Sequence, residues 1–221
     1  MKPLFRVSKP TSFEKLTEEE LETHLAIRRY GNFLLPEAIT PSYDLEVVPT
    51  SGFKFEQYED SQFGKIPVLI VSATKEVLFP LYMDLISLFE GMVGVVLETS
   101  HSPEAHLANR CHHIDLHQEG MDSVVIQSIL WDFEKLLVDD GCTGIAIYSP
   151  ETELEIQFDE HKVIFIYNWP RFCQQIMAIL EKYGILQKND LELLQNAEHI
   201  HSTSTSFEER FEILKNTIGA Q

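Results

Sequence analysis

IPVLIVSATKEVLFPLYMDLISLFEGMVGVVL, residues 66–97, is the stretch on which the fold turns. Its first seven residues are continuously apolar and rich in β-branched side chains, which suits a strand buried on both faces. Pro80 has no backbone N–H to give to a helix interior, so it belongs in the first turn of a helix running to Phe89. Leu81, Leu85, Leu88 and Phe89 share one side of that helix, and Gly91 ends it. Residues 93–97 form a second apolar strand. Strand, helix and strand within about thirty residues make a βαβ unit, expected to be right-handed with parallel strands.

Downstream, Asp122 is placed to cap a helix over residues 123–138, with Ile126, Ile129, Leu130, Phe133 and Leu137 on its apolar face. Three strands then follow at residues 144–148, 154–159 and 162–167. The middle one alternates apolar Leu154, Ile156 and Phe158 with polar neighbours, and short polar links at 150–152 and 160–161 mark hairpins, an antiparallel meander. Further helices are expected over 171–183, from Asp190 through Leu194, and over 207–218. HIHSTSTS, residues 199–206, reads as a flexible link.

Upstream, Thr17 followed by three glutamates is an N-cap with an acidic first turn, and the helix it starts is expected to reach Tyr30. Prolines flank residues 43–48, which read as a short edge strand that a second strand over 54–58 could join. The expected fold is α+β: a mixed sheet with one βαβ unit followed by an antiparallel three-strand meander, helices packed on the sheet and at the C-terminus. Residues 1–60 form a loop-rich N-terminal extension with one helix, part of the same domain as the α+β core of residues 61–221.

Composition narrows the function. The chain of 221 residues is 44% hydrophobic and 24% charged, and no apolar run approaches the roughly 20 residues that cross a bilayer. The first twenty residues lack the apolar core of a secretory signal. Cys111, Cys142 and Cys173 are few, odd in number and without CxxC spacing, so a reducing cytoplasm is the expected setting. The net charge of −18 leaves no basic cluster for a phosphate backbone, so neither nucleic acid nor a membrane is an expected partner. A basic protein partner suits it better.

Five of nine histidines, His101, His106, His112, His113 and His117, fall within seventeen residues, among Glu104, Cys111, Asp115 and Glu119, where an even scatter would place fewer than one. Imidazole, thiolate and carboxylate are the usual transition-metal ligands, which makes His101, His106, His113, Asp115 and His117 candidate ligands for a divalent transition metal. If residues 112–117 are a strand, His113, Asp115 and His117 share a face, but the two histidines stand about 13 Å apart, too far to hold one ion. Further ligands would then come from His101, His106 or the distant His199 and His201. Glu98 ends the second strand of the βαβ unit, where ligands of open sheets bind, so Glu98, His101, His113 and Asp115 are also a candidate pocket. Phosphate-loop, nucleophile-elbow and HExxH motifs are missing, and no catalytic residue or cofactor-binding motif is identified. Three readings stay open: an acidic intracellular binding or regulatory module without catalysis, acting through a protein partner; a metal-dependent hydrolase built from the His101–His117 region; and a self-associating structural protein forming a homo-oligomer.

Overall fold

The structure, a computed structural model, describes residues 11–60, 64–101 and 114–221. The chain is a mixture of helices and strands built around a seven-stranded sheet. The strands are β4 (Gly52–Asp60), β5 (Gly64–Ser72), β6 (Met92–Thr99), β7 (Ile114–Asp122), β8 (Thr143–Tyr148), β9 (Glu155–Phe158) and β10 (Ile164–Tyr167), in the spatial order β4-β5-β10-β9-β8-β6-β7. All six pairings between neighbours are antiparallel.

That topology corrects the expectation of a mixed sheet. Four successive antiparallel steps leave β5 and β6 pointing the same way, yet β10, β9 and β8 lie between them, so the parallel pair of a compact βαβ unit does not form. A continuous apolar run signals a strand buried on both faces and is silent on the direction of its neighbours. β8, β9 and β10 hydrogen-bond in chain order, each antiparallel to the next.

Helix α1 (Glu18–Leu25) starts from a full capping box, with the Thr17 hydroxyl accepting from the Glu20 N–H and the Glu20 carboxylate accepting from the Thr17 N–H. It ends before Tyr30, because Gly31, at φ 58°, turns the chain into a small hairpin of β1 (Arg29–Tyr30) and β2 (Phe33–Leu34). No strand forms over residues 43–48, where Leu45 takes a left-handed conformation. The strand read at 54–58 belongs to β4, and its partner is β5.

Helix α2 (Lys75–Ile86) begins earlier than expected and carries Pro80 in its interior. The proline forfeits one backbone hydrogen bond, but α2 buries Leu78, Phe79, Leu81, Tyr82, Leu85 and Ile86 against the sheet, each nearly or wholly inaccessible. At about 1.5–3 kcal/mol per buried large side chain, that burial outweighs the local loss. Asp122 caps α3 (Ser123–Leu130) through the Val124 and Val125 N–H groups. The helix expected over 123–138 is interrupted by a 3-10 turn at Trp131–Phe133 before α4 (Glu134–Asp139). Helices α5 (Cys173–Lys182) and α6 (Thr205–Ile218) follow. The inner face of the sheet, represented by Val95, Leu97, Ile145, Ile147, Ile156, Phe158 and Ile164, packs with these helices into one core.

Two further features position the site. Leu191 and Leu193 form no helix; they lie over the opposite face of β5 and β10, against Val68, Ile70 and Val163. Residues 199–206 are ordered structure, with β11 (His199–His201) paired to β3 (Ile39–Pro41) and Ser204 capping α6. The C-terminal part of the chain is thus hydrogen-bonded to the N-terminal part beside one end of the large sheet.

Candidate metal centre

Three imidazoles from two distant parts of the chain meet at that end. His199 and His201 are alternate residues of β11 and so project to the same side of it. His161 comes from the turn between β9 and β10. Asp159 shapes that turn: its Oδ1 accepts the Val163 N–H at 2.9 Å, while its Oδ2 faces His161 Nδ1 at 2.8 Å. Lys162 completes the turn at φ 63°. One carboxylate therefore both closes the hairpin and orients the ring.

Each ring is held through Nδ1. His161 faces the Asp159 carboxylate, His199 faces the Ala197 carbonyl at 2.8 Å, and His201 faces the Gly141 carbonyl. A carbonyl oxygen can only accept, so Nδ1 of His199 and of His201 must carry the proton. In the neutral rings Nε2 is then a bare lone pair, and the Nε2 atoms of His199 and His201 stand 3.0 Å apart. At that distance the two nitrogens are bridged either by a proton, as an N–H···N hydrogen bond, or by a metal cation. Burial lowers the pKa of both rings, which works against a bridging proton. For His161 burial also acts to lower the pKa, but the hydrogen bond and charge of Asp159 outweigh it and the net shift is upward.

One nitrogen from each of the three rings lies within 4.8 Å of the others, and the rings are 4.9–5.0 Å apart between centroids. Tetrahedral zinc at about 2.0–2.1 Å from each nitrogen would set them about 3.4 Å apart. The 3.0 Å between His199 and His201 is close to that value, and the His161 ring lies within reach of the same ion. An Nδ1–H donated to a carbonyl or carboxylate is also the usual outer partner of a metal-bound histidine, fixing its tautomer and its orientation. A cavity of about 20 Å³ touches His161 and Lys162 from the side of Phe33, Leu35 and Ile39; His199 and His201 do not line it.

The surroundings are polar and buried. Lys162 is inaccessible, donates to the Thr143 carbonyl at 2.8 Å, and is pulled down to about 8 by burial against the opposing pull of Asp140, Asp159 and Glu160. The loop before β8 joins the same network. The Gly141 N–H donates to the Ser202 carbonyl and the Ser202 N–H to the Ala38 carbonyl, both at 2.8 Å.

The residues singled out in the sequence are dispersed around this centre. His101 lies just beyond β6, against Asp140 at 2.8 Å. Glu98 and Asp115 are directly opposed across β6 and β7, on the sheet face away from the main core. Glu98 lies over Gly144, where a Cβ would approach its carboxylate to 2.6 Å, and it accepts from Gln157 Nε2 at 2.6 Å. Burial, then the charges of Asp159 and Asp115, push Glu98 up to about 7. Asp115 and His117 are exposed on β7, His117 opposite Val96. His106 and His113 fall outside the described residues. Sequence reasoning named His199 and His201 only as distant ligand sources and read His161 as part of a hairpin link. The signals for them were the alternate histidines of the HIH triplet and the carboxylate two residues before His161.

No protein-family model matches the chain, and no curated protein or solved structure is significantly similar to it. Among the described residues, no helix is long and apolar enough to cross a membrane.

Proposed function

We propose that this protein is a metal-dependent hydrolase in which Nε2 of His161, His199 and His201 binds one divalent transition metal of the zinc class. The observation that carries this reading is the pair of Nε2 atoms set 3.0 Å apart with each Nδ1 facing a backbone carbonyl. Three nitrogen ligands with an open fourth position are the arrangement of catalytic rather than structural zinc, and the metal's contribution would be to lower the pKa of a bound water to about 7. The chain's own part is to hold the three rings in one tautomer, with Asp159 tightening His161. His161 remains 21% exposed, which leaves an approach from solvent. The reading takes up the metal-dependent hydrolase that the sequence left as an alternative to a binding module, and moves its ligands from residues 101–117 to the β9–β10 turn and β11.

The test is calorimetric titration of metal-stripped protein with zinc, followed by ester and phosphodiester hydrolysis assays on the loaded form. Loss of one tight zinc equivalent per chain in a His199→Ala, His201→Ala variant, with hydrolysis that tracks loading of that equivalent, is the expected result. Zinc binding unchanged in that variant would overturn the site, and a loaded protein inert to both substrate types would overturn the hydrolase class. A second reading, a non-catalytic acidic module with a basic protein partner, is supported by the exposed Val124, Val125 and Trp131 beside Asp132 and Glu134 in a chain of net charge −18. It expects charge-reversing substitutions at Asp132 and Glu134 to abolish partner binding.

A further inference from the structure

A second constellation of ligand-type side chains lies on the far side of Gly141. His101, Asp140 and Cys142 each place one donor atom within 4.8 Å of the other two. They come from the end of β6 and from the loop that enters β8. Asp140 is wholly inaccessible and Cys142 nearly so, while the His101 side chain is 9% exposed. Asp140 Oδ2 is well supplied: it receives the Thr143 hydroxyl at 2.5 Å and faces His101 Nε2 at 2.8 Å. Asp140 Oδ1 is buried and receives no hydrogen bond of ordinary geometry, although the Thr203 side chain lies close enough to help hold the carboxyl, against the effect of burial, below its usual pKa. A buried carboxylate oxygen left unsatisfied costs on the order of 1–3 kcal/mol or more, so such an atom asks for an explanation.

We infer that His101, Asp140 and Cys142 form a second metal site, selective for a thiophilic divalent ion such as zinc or cobalt over magnesium or calcium. Thiolate and imidazole together favour borderline and soft ions, whereas magnesium and calcium require shells of oxygen. In the metal-free protein a proton lies between His101 Nε2 and Asp140 Oδ2. The ion takes its place, the displaced proton passing to Nδ1 of a neutral ring or to solvent from a charged one, and Cys142 releases its thiol proton to solvent as the metal–sulfur bond forms. The Thr143 hydroxyl stays on the carboxylate as an outer-shell donor. The loop is fixed independently of any ion, since the Ser100 N–H donates to the Cys142 carbonyl at 3.0 Å and the Gly141 N–H to the Ser202 carbonyl. The donors are therefore arranged before metal arrives. The site uses none of the three histidines of the hydrolytic centre, so it stands whether or not that centre does.

Cobalt(II) is the probe, because a cobalt–thiolate bond gives an intense near-ultraviolet charge-transfer band that nitrogen and oxygen ligands do not. Metal-stripped full-length protein titrated with cobalt should develop that band within two equivalents per chain, and the His199→Ala, His201→Ala variant within one. The His199→Ala, His201→Ala variant should keep the band, and so should Cys111→Ser and Cys173→Ser, which control for the other thiols. Cys142→Ser should lose it, as should His101→Ala. Circular dichroism identifies any variant that fails to fold, and the unaltered protein decides the question alone if Cys142→Ser is lost. Absence of the band in the unaltered protein, or its persistence in folded Cys142→Ser, would overturn the proposal. Loss of the band in Cys111→Ser would assign the sulfur elsewhere and overturn it equally.

Discussion

Gly141 should tolerate no side chain, and its replacement by alanine should damage stability and metal binding together. A Cβ at this position would lie 2.3 Å from the Ala38 carbonyl oxygen, 2.9 Å from the Ser202 nitrogen and 3.0 Å from the Ser202 oxygen. All three are backbone atoms locked in the β3–β11 pairing, so no rotamer change relieves the contact. Restoring ordinary separation requires about 1 Å of backbone movement, which stretches the hydrogen bonds Gly141→Ser202 and Ser202→Ala38. Overpacking of this kind costs about 1–3 kcal/mol, and each weakened hydrogen bond adds about 1 kcal/mol. A loss of about 3 kcal/mol in a chain of this length lowers Tm by roughly 6–12 °C. The same movement carries away the Gly141 carbonyl that holds His201 Nδ1, and loss of such an outer partner weakens metal binding by about 10–100-fold. Differential scanning calorimetry of the metal-free protein and zinc titration measure the two effects. A Gly141→Ala protein that melts within about 2 °C of the parent and binds zinc equally well would refute the claim that this loop and β11 are one rigid unit.

Three other outcomes follow from particular contacts. Asp159→Asn keeps a side chain that can accept from the Val163 N–H but removes the carboxylate charge beside His161 Nδ1, so zinc affinity should fall by about 10-fold or more with the fold retained; calorimetric titration alongside circular dichroism checks both. Glu98 has a folded pKa raised from 4.5 to about 7, so the native state holds a proton there that the unfolded chain releases, and stability falls as pH rises from 4.5 through 7. Glu98→Gln should leave urea stability at pH 4 almost unchanged and raise it at pH 8, by up to about 3 kcal/mol; equal stabilities of the two proteins at pH 8 would contradict the buried placement of the carboxyl. Asp122→Ala removes the acceptor for the Val124 and Val125 N–H groups at the start of α3 and should cost about 1 kcal/mol, read as a shift in urea midpoint without a change in slope.

What could be read from the sequence, and what could not, divides along the range of the interactions involved. The Thr17 cap, the Asp122 cap and the apolar runs of β5 and β6 are encoded within a few residues, and they form where local periodicity places them. Strand order is not encoded that way. β5 and β6 are joined through α2 as a βαβ unit would be, but pairing is decided by which strands compete for their edges, and the β8–β9–β10 group occupies the space between them. Pro80 was read too rigidly because a helix stop is a local penalty, whereas the burial that overrides it comes from the sheet. The histidines show the same division. A crowded segment attracts attention because proximity in sequence is visible, yet ligands at 2 Å from one ion need proximity in space, which a strand spacing of about 3.3 Å per residue denies to residues four apart but allows to the alternate His199 and His201, whose Nε2 atoms stand 3.0 Å apart. His199 and His201 read as part of a flexible link because short polar residues surround them; the backbone bonds to β3 that order them are formed by residues about 160 positions earlier in the chain. Asp159 then adds what composition cannot show: it closes a turn with one oxygen and orients His161 with the other. The proposed metal centre, assembled from a hairpin turn and a strand paired to the opposite end of the chain, would link its occupancy to that pairing, so that metal binding and the docking of β11 would stabilise each other.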